Sequence, residues 1–152
     1  MRYNGHVQNH FLKGHRMEQN TVLHYFRALS IAGSDSGGGA GIQADLKTFA
    51  ALGCYGMSVV TAVTAQNSVG VQGIHPVPPD CVREQLQAVL QDLGTDAVKI
   101  GMLFSAECIR TVAGVLKEQG VHRIVLDPVM VAQSGDKLLE DEAVQAVQSE
   151  LI

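Results

Sequence analysis

The sequence predicts an α/β fold in which a parallel sheet is covered by helices. Short apolar segments typical of buried strands alternate with segments whose apolar residues recur at helical spacing. The chain has 152 residues, of which 46% are hydrophobic, so it is about the size of one domain and can bury a core. A glycine-rich loop, residues 33–41, joins the first predicted strand to the first predicted helix.

The first half of the domain contains two predicted strands and two predicted helices. In chain order these are a strand at Arg27–Ala32, a helix at Gly41–Leu52 closed by Gly53, a strand at Tyr55–Ala65, and a helix at Cys81–Leu93 with Asp80 as its N-cap. The segment His75–Asp80 contains three prolines, which predicts a stiff connector.

The second half repeats the alternation of strand and helix. The predicted elements are a strand at Ala97–Ile100, a helix capped by Ser105 and closed by Gly120, a strand at Arg123–Leu126, a loop at Val129–Lys137, and a helix from Leu139 to Ile152. Residues 1–26 differ from the rest, because they carry four of the six histidines and no sustained periodicity. We expect a poorly ordered N-terminal extension there and one domain at residues 27–152.

Composition and charge argue against several classes of function. Charged residues make up 17% of the chain and the net charge is −4, without the basic face that nucleic-acid binding requires. No apolar stretch is long enough to predict a membrane span. The three cysteines, Cys54, Cys81 and Cys108, form no C-x-x-C pair, so we expect small buried side chains rather than a disulfide framework or a zinc site. A reducing cytoplasm is the expected location.

Ligands of open parallel sheets bind outside the carboxyl ends of the strands. That rule selects four loops rich in glycine and polar residues, which we expect to form one rim. They are Gly33–Gly41, Gln66–Gly73, Gly101–Phe104 and Asp127–Asp136.

The glycine loop presents backbone N–H groups at the start of a helix, where an anion or a small polar ligand can bind. A tight turn without a ligand is the alternative. The loop is not a Walker A motif, but Gly39, Gly41 and Ala44 fit the weak dinucleotide pattern G-x-G-x-x-A. No Asp or Glu lies between Asp45 and Asp80 to hold a ribose, which disfavours a nucleotide-dependent oxidoreductase.

Single residues on the other loops are candidates for binding. Gln66 and Asn67 offer planar amides suited to a ring amino group beside a ring nitrogen, or else to capping local backbone. Met102 suits packing on a flat ring, or a place in the core. Asp127 suits orienting a metal ion or water near phosphates, or capping a loop. The carboxylate of Asp45, the remaining candidate, can complement the positive N-terminal end of the first predicted helix.

Four ordered blocks carry a family resemblance. They are Ala32–Lys47 (AGSDSGGGAGIQADLK), Thr61–Asn67 (TAVTAQN), Lys99–Met102 (KIGM), and Asp127–Met130 (DPVM) followed by Ser134–Asp136 (SGD). In order and spacing they resemble the bifunctional hydroxymethylpyrimidine kinase/phosphomethylpyrimidine kinase family of thiamine biosynthesis. The resemblance covers about residues 27–152.

The resemblance implies a three-layer ribokinase-like fold with helices on both faces of a parallel sheet. It implies two ATP-dependent phosphorylations, first of 4-amino-5-hydroxymethyl-2-methylpyrimidine and then of its monophosphate, with Mg²⁺ as cofactor and a homodimer as a usual assembly. It implies that Gln66 binds the pyrimidine edge and that Asp127 lies on the nucleotide–magnesium side. The residues that it places along the pyrimidine pocket are Gly33, Ala40, Met102 and Val129.

The chain also departs from the family pattern. The Asn-Pro-Asn-x-x-Glu and Gly-Thr-Gly-Cys segments of the family, the second of which forms the anion hole and supplies the catalytic-base position, do not occur in the 152 residues. Gln133 stands where many relatives have Lys. We therefore expect a C-terminally truncated form of the fold, assign no catalytic residue, and predict negligible activity for these residues alone. A pyridoxal-kinase-like enzyme and a non-catalytic pyrimidine-binding fragment are the alternatives.

Overall fold

A computed structural model describes residues 25–129, 135 and 141–151. This part of the chain contains five strands and four helices. They are β1 (Arg27–Asp35), α1 (Gly41–Ala51), β2 (Tyr55–Gln66), β3 (Val71–Pro76), α2 (Pro79–Asp92), β4 (Ala97–Ile100), α3 (Ala106–Glu118), β5 (Ile124–Leu126) and α4 (Asp141–Glu150). The expectations for residues 1–24 and for most of the 130–140 segment lie outside the described residues.

The strands form one sheet in the order β3-β2-β1-β4-β5. β1 pairs in parallel with β2 and β4, and β4 pairs in parallel with β5. The predicted α/β class is therefore confirmed. The sheet is not parallel throughout, however, because β3 pairs with β2 in the antiparallel direction.

The antiparallel strand arises from a tight turn between β2 and β3. The side-chain oxygen of Asn67 accepts hydrogen bonds from the N–H groups of Val69 at 2.9 Å and Gly70 at 3.2 Å. Such a short connection can only return the chain beside the strand it has just left. The predicted rim loop Gln66–Gly73 and connector His75–Asp80 were wrong in part, since β3 takes residues from both. A six-residue edge strand that contains Gly73 and ends at Pro76 carries little of the pattern typical of strands.

The main core lies on one face of the sheet, between the strands and helices α2, α3 and α4. Leu29 and Ile31 of β1 and Ile100 of β4 are fully buried there, against residues such as Leu86 of α2 and Ile109 of α3. The alternation of side chains along a strand sends the residues between them to the other face. Burial of this apolar stripe by three helices is the main contribution to stability that the described residues show.

The opposite face is covered by α1, which contacts β1 and β2. Helices on both faces of the sheet are thus confirmed, although the two faces are covered unequally in the described residues. Ser30 of β1 and Lys99 of β4 are paired in register and belong to the α1 face. Two polar side chains on a covered face require partners.

Helix ends agree with the predictions at most positions. Ser105 caps α3, because its hydroxyl accepts the N–H of Cys108 at 3.2 Å. Gly120 follows α3 with a positive φ of 65°. The N-cap of α2 is Pro78 rather than Asp80, which lies in the first turn.

The cysteines are not all buried. Cys108 is buried, Cys54 is half-buried, and Cys81 is exposed near the start of α2. The expectation of a buried side chain was therefore wrong for Cys81.

No helix in the described part of the chain has both the length and the apolar character that a membrane crossing requires.

Candidate active-site cleft

A cleft of about 810 Å³ opens where the carboxyl ends of β1, β2, β4 and β5 meet. Residues from all four predicted rim loops line it, as expected for a sheet whose strands end at a common edge. The six residues to which the family resemblance gives a role are all part of its lining. They are Gly33, Ala40, Gln66, Met102, Asp127 and Val129.

The glycine loop forms one wall of the cleft, and its own carboxylate occupies its N–H groups. Asp35, which is buried, accepts hydrogen bonds from the backbone N–H groups of Gly37 at 2.8 Å, Gly39 at 2.9 Å and Ala40 at 2.8 Å. The expectation that this loop holds an external anion on bare N–H groups is wrong for these three donors. Asp35 instead fixes the shape of the wall.

The end of the loop depends on a close approach of backbone to backbone. Gly41 has a φ of +56°, and a Cβ at this position would collide with the carbonyl oxygen of Gly33. The side chain of Gln43 completes the turn, since its oxygen accepts the N–H of Asp35 at 2.8 Å and its nitrogen donates to Ser34 Oγ at 2.7 Å. The loop is therefore held in place before any ligand arrives.

Gln66 and Asn67 have different environments. The Asn67 oxygen is occupied by the β2–β3 turn, which is the backbone-capping alternative. Gln66 is held through its backbone, because Ser36 Oγ donates to its carbonyl oxygen at 2.7 Å and accepts from its N–H at 2.9 Å. Ser36 thus joins the glycine loop to the end of β2, and the side chain of Gln66 lines the cleft.

Met102 lines the cleft and is 7% exposed. It packs in a small cluster with Ala62, and its carbonyl oxygen accepts the hydroxyl of Thr61 at 2.6 Å. A Cβ on Gly33 would lie 2.5 Å from the Met102 methyl carbon Cε, so the methionine occupies the space that glycine leaves. The methionine is both a core residue and part of the cleft lining.

Beside these residues, Lys99 joins two of the candidates, Asp45 and Asp127, in a cluster of charges that the sequence analysis did not predict. Lys99 Nζ lies 3.1 Å from Asp45 Oδ2 and 3.6 Å from Asp127 Oδ2. Ser30 Oγ donates to the same Asp45 oxygen at 2.6 Å. The prediction that Asp45 complements the N-terminus of α1 is therefore wrong, because Asp45 lies beyond the first turn and its carboxylate contacts Lys99 and Ser30. The available signal was a lysine inside the apolar strand Ala97–Ile100, since a cation there needs an anionic partner.

Asp127 follows β5, and its side chain is 58% exposed. Its N–H donates to the carbonyl oxygen of Ile100 at 2.8 Å, which holds the residue beside the end of β4. Within the part of the chain that the structure describes, no group of three or more His, Cys, Asp or Glu residues is arranged to hold a metal ion. One exposed carboxylate fits Mg²⁺ that is bound mainly by phosphates and water, and does not fit a cage made by protein alone.

Known proteins resemble the chain over most of its length. Residues 35–152 match the phosphomethylpyrimidine kinase family. The hydroxymethylpyrimidine/phosphomethylpyrimidine kinase of Bacillus subtilis (strain 168) is 54% identical over 127 residues, which are 84% of this chain and 47% of that protein. The chain therefore spans about half the length of this relative.

Solved structures give the same result. The phosphomethylpyrimidine kinase from Clostridium difficile 630 superposes with a TM-score of 0.78 at 48% identity, over 83% of this chain and 55% of the other. The pyridoxal kinase of Bacillus subtilis, solved as an ADP complex, has a TM-score of 0.74 at 40% identity, over 84% of this chain and 49% of the other. The resemblance found in the sequence and the ribokinase-like fold are both confirmed, and the chain belongs to the phosphomethylpyrimidine kinase family.

Proposed function

We propose that this chain forms the pyrimidine-binding part of a hydroxymethylpyrimidine/phosphomethylpyrimidine kinase of thiamine biosynthesis. In the first reaction the hydroxymethyl oxygen attacks the γ-phosphorus of ATP, ADP leaves, and the hydroxyl proton is released. In the second, a phosphate oxygen of the monophosphate attacks in the same way. The observation that carries the proposal is the convergence of the six candidate residues on one cleft.

Each candidate has a property that suits a small aromatic ring. Gln66 has a planar amide that can hydrogen bond to the ring edge, and Met102 has a polarisable side chain that can pack on the ring face. Gly33 and Ala40 are small, so they leave room for a ligand close to the backbone. Val129 gives an apolar contact on the cleft lining, where it packs against the cluster that contains Met102.

Asp127 is proposed to lie on the side of ATP and magnesium. The family consists of kinases, and kinases transfer the phosphoryl group of ATP. When bound, Mg²⁺ would neutralise charge on the phosphates, and Asp127 is the exposed carboxylate on the cleft that fits one contact to it. Lys99 stays beside it and limits the local negative charge.

Pyridoxal phosphorylation is the second candidate function. It is supported by the likeness to the Bacillus subtilis pyridoxal kinase at 40% identity. A cleft that binds the pyrimidine without phosphoryl transfer is the third.

We place the reaction in the cytoplasm because the chain carries three cysteines without disulfides, and we propose a homodimer as its assembly.

Titration calorimetry with the pyrimidine and with pyridoxal tests these proposals on the 152-residue chain. We expect the pyrimidine to bind more tightly than pyridoxal, and we expect Gln66→Ala to weaken its binding about tenfold. Gln91→Ala, on the exposed side of α2, is the matched control and should bind as the parent chain does. Equal loss in both variants, or tighter pyridoxal binding, would overturn the assignment.

An assay of ADP formation with ATP, Mg²⁺ and the pyrimidine tests turnover. We expect negligible activity from the 152 residues alone, because they contain no Gly-Thr-Gly-Cys segment to stabilise the transferring phosphoryl group. Turnover comparable to that of a full-length relative would refute this expectation and would leave the binding proposal to the calorimetry.

A further inference from the structure

The hydroxyl of Thr64 lies between two oxygen atoms. Thr64 Oγ1 is 2.8 Å from the carbonyl oxygen of Ser34 and 3.2 Å from Oε1 of the Gln66 side chain. Thr64 is 5% exposed, so water has little access to this group. Both Thr64 and Gln66 line the cleft.

A hydroxyl group has one proton to donate. The carbonyl oxygen of Ser34 can only accept, and it is the nearer of the two oxygens, so it takes the proton. The lone pairs of Thr64 Oγ1 then face the side chain of Gln66. An amide oxygen placed there would meet lone pairs without a proton between them, whereas an amide nitrogen would donate a good hydrogen bond.

The two ends of a glutamine amide have nearly the same shape, so the hydrogen-bond network decides its orientation. We propose that Gln66 donates its Nε2–H to Thr64 and turns Oε1 toward the ligand, so that Thr64 is a specificity-determining residue of the cleft. The Gln66 amide then donates to Thr64, and the Thr64 hydroxyl donates to the carbonyl oxygen of Ser34. Because a carbonyl oxygen can only accept, the opposite order of donors is not possible.

The orientation selects the chemistry of the ligand. A carbonyl oxygen facing the cleft accepts a hydrogen bond, so the ring must present a donor such as an exocyclic amino group. A ring that presents a carbonyl oxygen at that place would leave two acceptors facing each other, which costs binding energy. This inference deepens the proposed function, on which its ligand part rests, because it states which atom of Gln66 reads the aminopyrimidine.

Other contacts hold the hydrogen-bonded residues Gln66, Thr64 and Ser34 in place. Ser36 fixes the backbone of Gln66 on both its N–H and its carbonyl oxygen, so the side chain extends from a fixed point. Thr64 lies in β2 and is paired in register with Asp35 of β1, which ties it to the glycine loop. With the backbone held, the side-chain torsions of Gln66 are the freedom that remains, and the contact of its amide with Thr64 restrains them.

The ligand test compares the aminopyrimidine with its 4-oxo analogue, in which a ring carbonyl replaces the amino group. We expect the chain to prefer the amino compound by about tenfold or more in calorimetry. Thr64→Val, which keeps the shape and removes the hydroxyl, should reduce that preference to about twofold, and Thr64→Ser should retain it. In a Gln66→Ala background the valine substitution should change nothing further.

A second readout does not depend on a ligand. In nuclear magnetic resonance spectra we expect an Overhauser contact between the Gln66 side-chain amide protons and Thr64, with slower solvent exchange than the exposed amide of Gln91 shows. Thr64→Val should bring the exchange to the Gln91 rate. Thr111→Val, a buried threonine of α3, is the matched control for folding and should leave both readouts unchanged.

The outcomes separate the inference from the function it deepens. Absence of the Overhauser contact, or an unchanged preference in Thr64→Val, would overturn the role of Thr64 even where the pyrimidine binds. Presence of the contact in a chain that binds neither compound would support the amide orientation and overturn the proposed pyrimidine site.

Discussion

The ammonium group of Lys99 lies 3.1 Å from the carboxylate oxygen Oδ2 of Asp45, on the face of the sheet that α1 covers. The pair joins β4 to α1 across 54 positions of sequence. Ser30, opposite Lys99 in the strand register, donates to the same oxygen. This face of the sheet, which carries the cleft at one end, is therefore held by a charged pair in addition to apolar contacts such as those of Leu46 and Phe49 with Gly56.

Replacement of Lys99 by methionine should destabilise the fold. The side chain of Asp45 is 17% exposed, so its charge would lose its cation while largely removed from water. We expect a loss of about 2 kcal/mol in the free energy of unfolding, measured by urea denaturation. The double variant Lys99→Met/Asp45→Asn should recover part of the loss, because position 45, which is largely removed from water, no longer carries an unpaired charge and the Asp127 carboxylate, which also loses Lys99, is 58% exposed.

Lys117→Met, on the exposed side of α3, is the control for that experiment and should change stability by less than about 0.5 kcal/mol. An equal effect of the two methionine substitutions would contradict the role assigned to the Lys99–Asp45 pair.

Asp35 should be needed for the shape of the glycine loop. Asp35→Ala leaves three N–H groups without their acceptor, and we expect a loss of about 2 kcal/mol together with faster hydrogen exchange at Gly37, Gly39 and Ala40. Asp35→Asn keeps one side-chain oxygen and should lose less. Slow exchange of these amides in the alanine variant would show that another group satisfies them.

Gly33→Ala should affect binding more than stability. The added methyl group lies 2.5 Å from Met102 Cε, which is the mobile end of a flexible side chain, so we expect about 1 kcal/mol of destabilisation. The displaced methionine should fill part of the cleft and weaken pyrimidine binding about tenfold. Gly114→Ala is the control, since its methyl group meets no atom within 4 Å and should stabilise α3 by about 0.5–1 kcal/mol.

The cysteines should differ in reactivity. Burial raises the pKa of the Cys108 thiol from its ordinary value of 9.0 to about 12, so it stays protonated near neutral pH, whereas Cys81 is exposed. We expect an alkylating reagent to modify Cys81 in the native chain and Cys108 only after unfolding, as read by mass spectrometry of peptides.

The same shift predicts a pH dependence of stability. The Cys108 thiol is harder to ionise in the folded chain than in the unfolded chain. Its contribution to the free energy of unfolding is therefore complete below pH 9.0 and is lost as the pH rises toward about 12. Cys108→Ala should remove this part of the loss of stability at alkaline pH. Cys54→Ala is the control and should keep it. Identical alkaline profiles for the parent chain and Cys108→Ala would contradict the assignment.

Local patterns predicted most of the elements, because hydrophobic periodicity and end signals act within a few residues. The strand at β4, the cap at Ser105 and the start of α1 at Gly41 agree with the sequence in this way. The strand β3 was missed, since its pairing comes from the turn at Asn67 rather than from its own composition.

The family follows from four ordered blocks of sequence. The positions of the cleft residues follow from glycines, an amide and a carboxylate that stand at or just after the carboxyl ends of strands, since parallel strands end at one edge. Tertiary structure decided the partners of these groups. It placed Asp35 in its own glycine loop, set Lys99 between Asp45 and Asp127, and put Thr64 between Ser34 and Gln66. Those contacts depend on strand order and register, which bring distant segments within hydrogen-bond distance and which no local periodicity encodes.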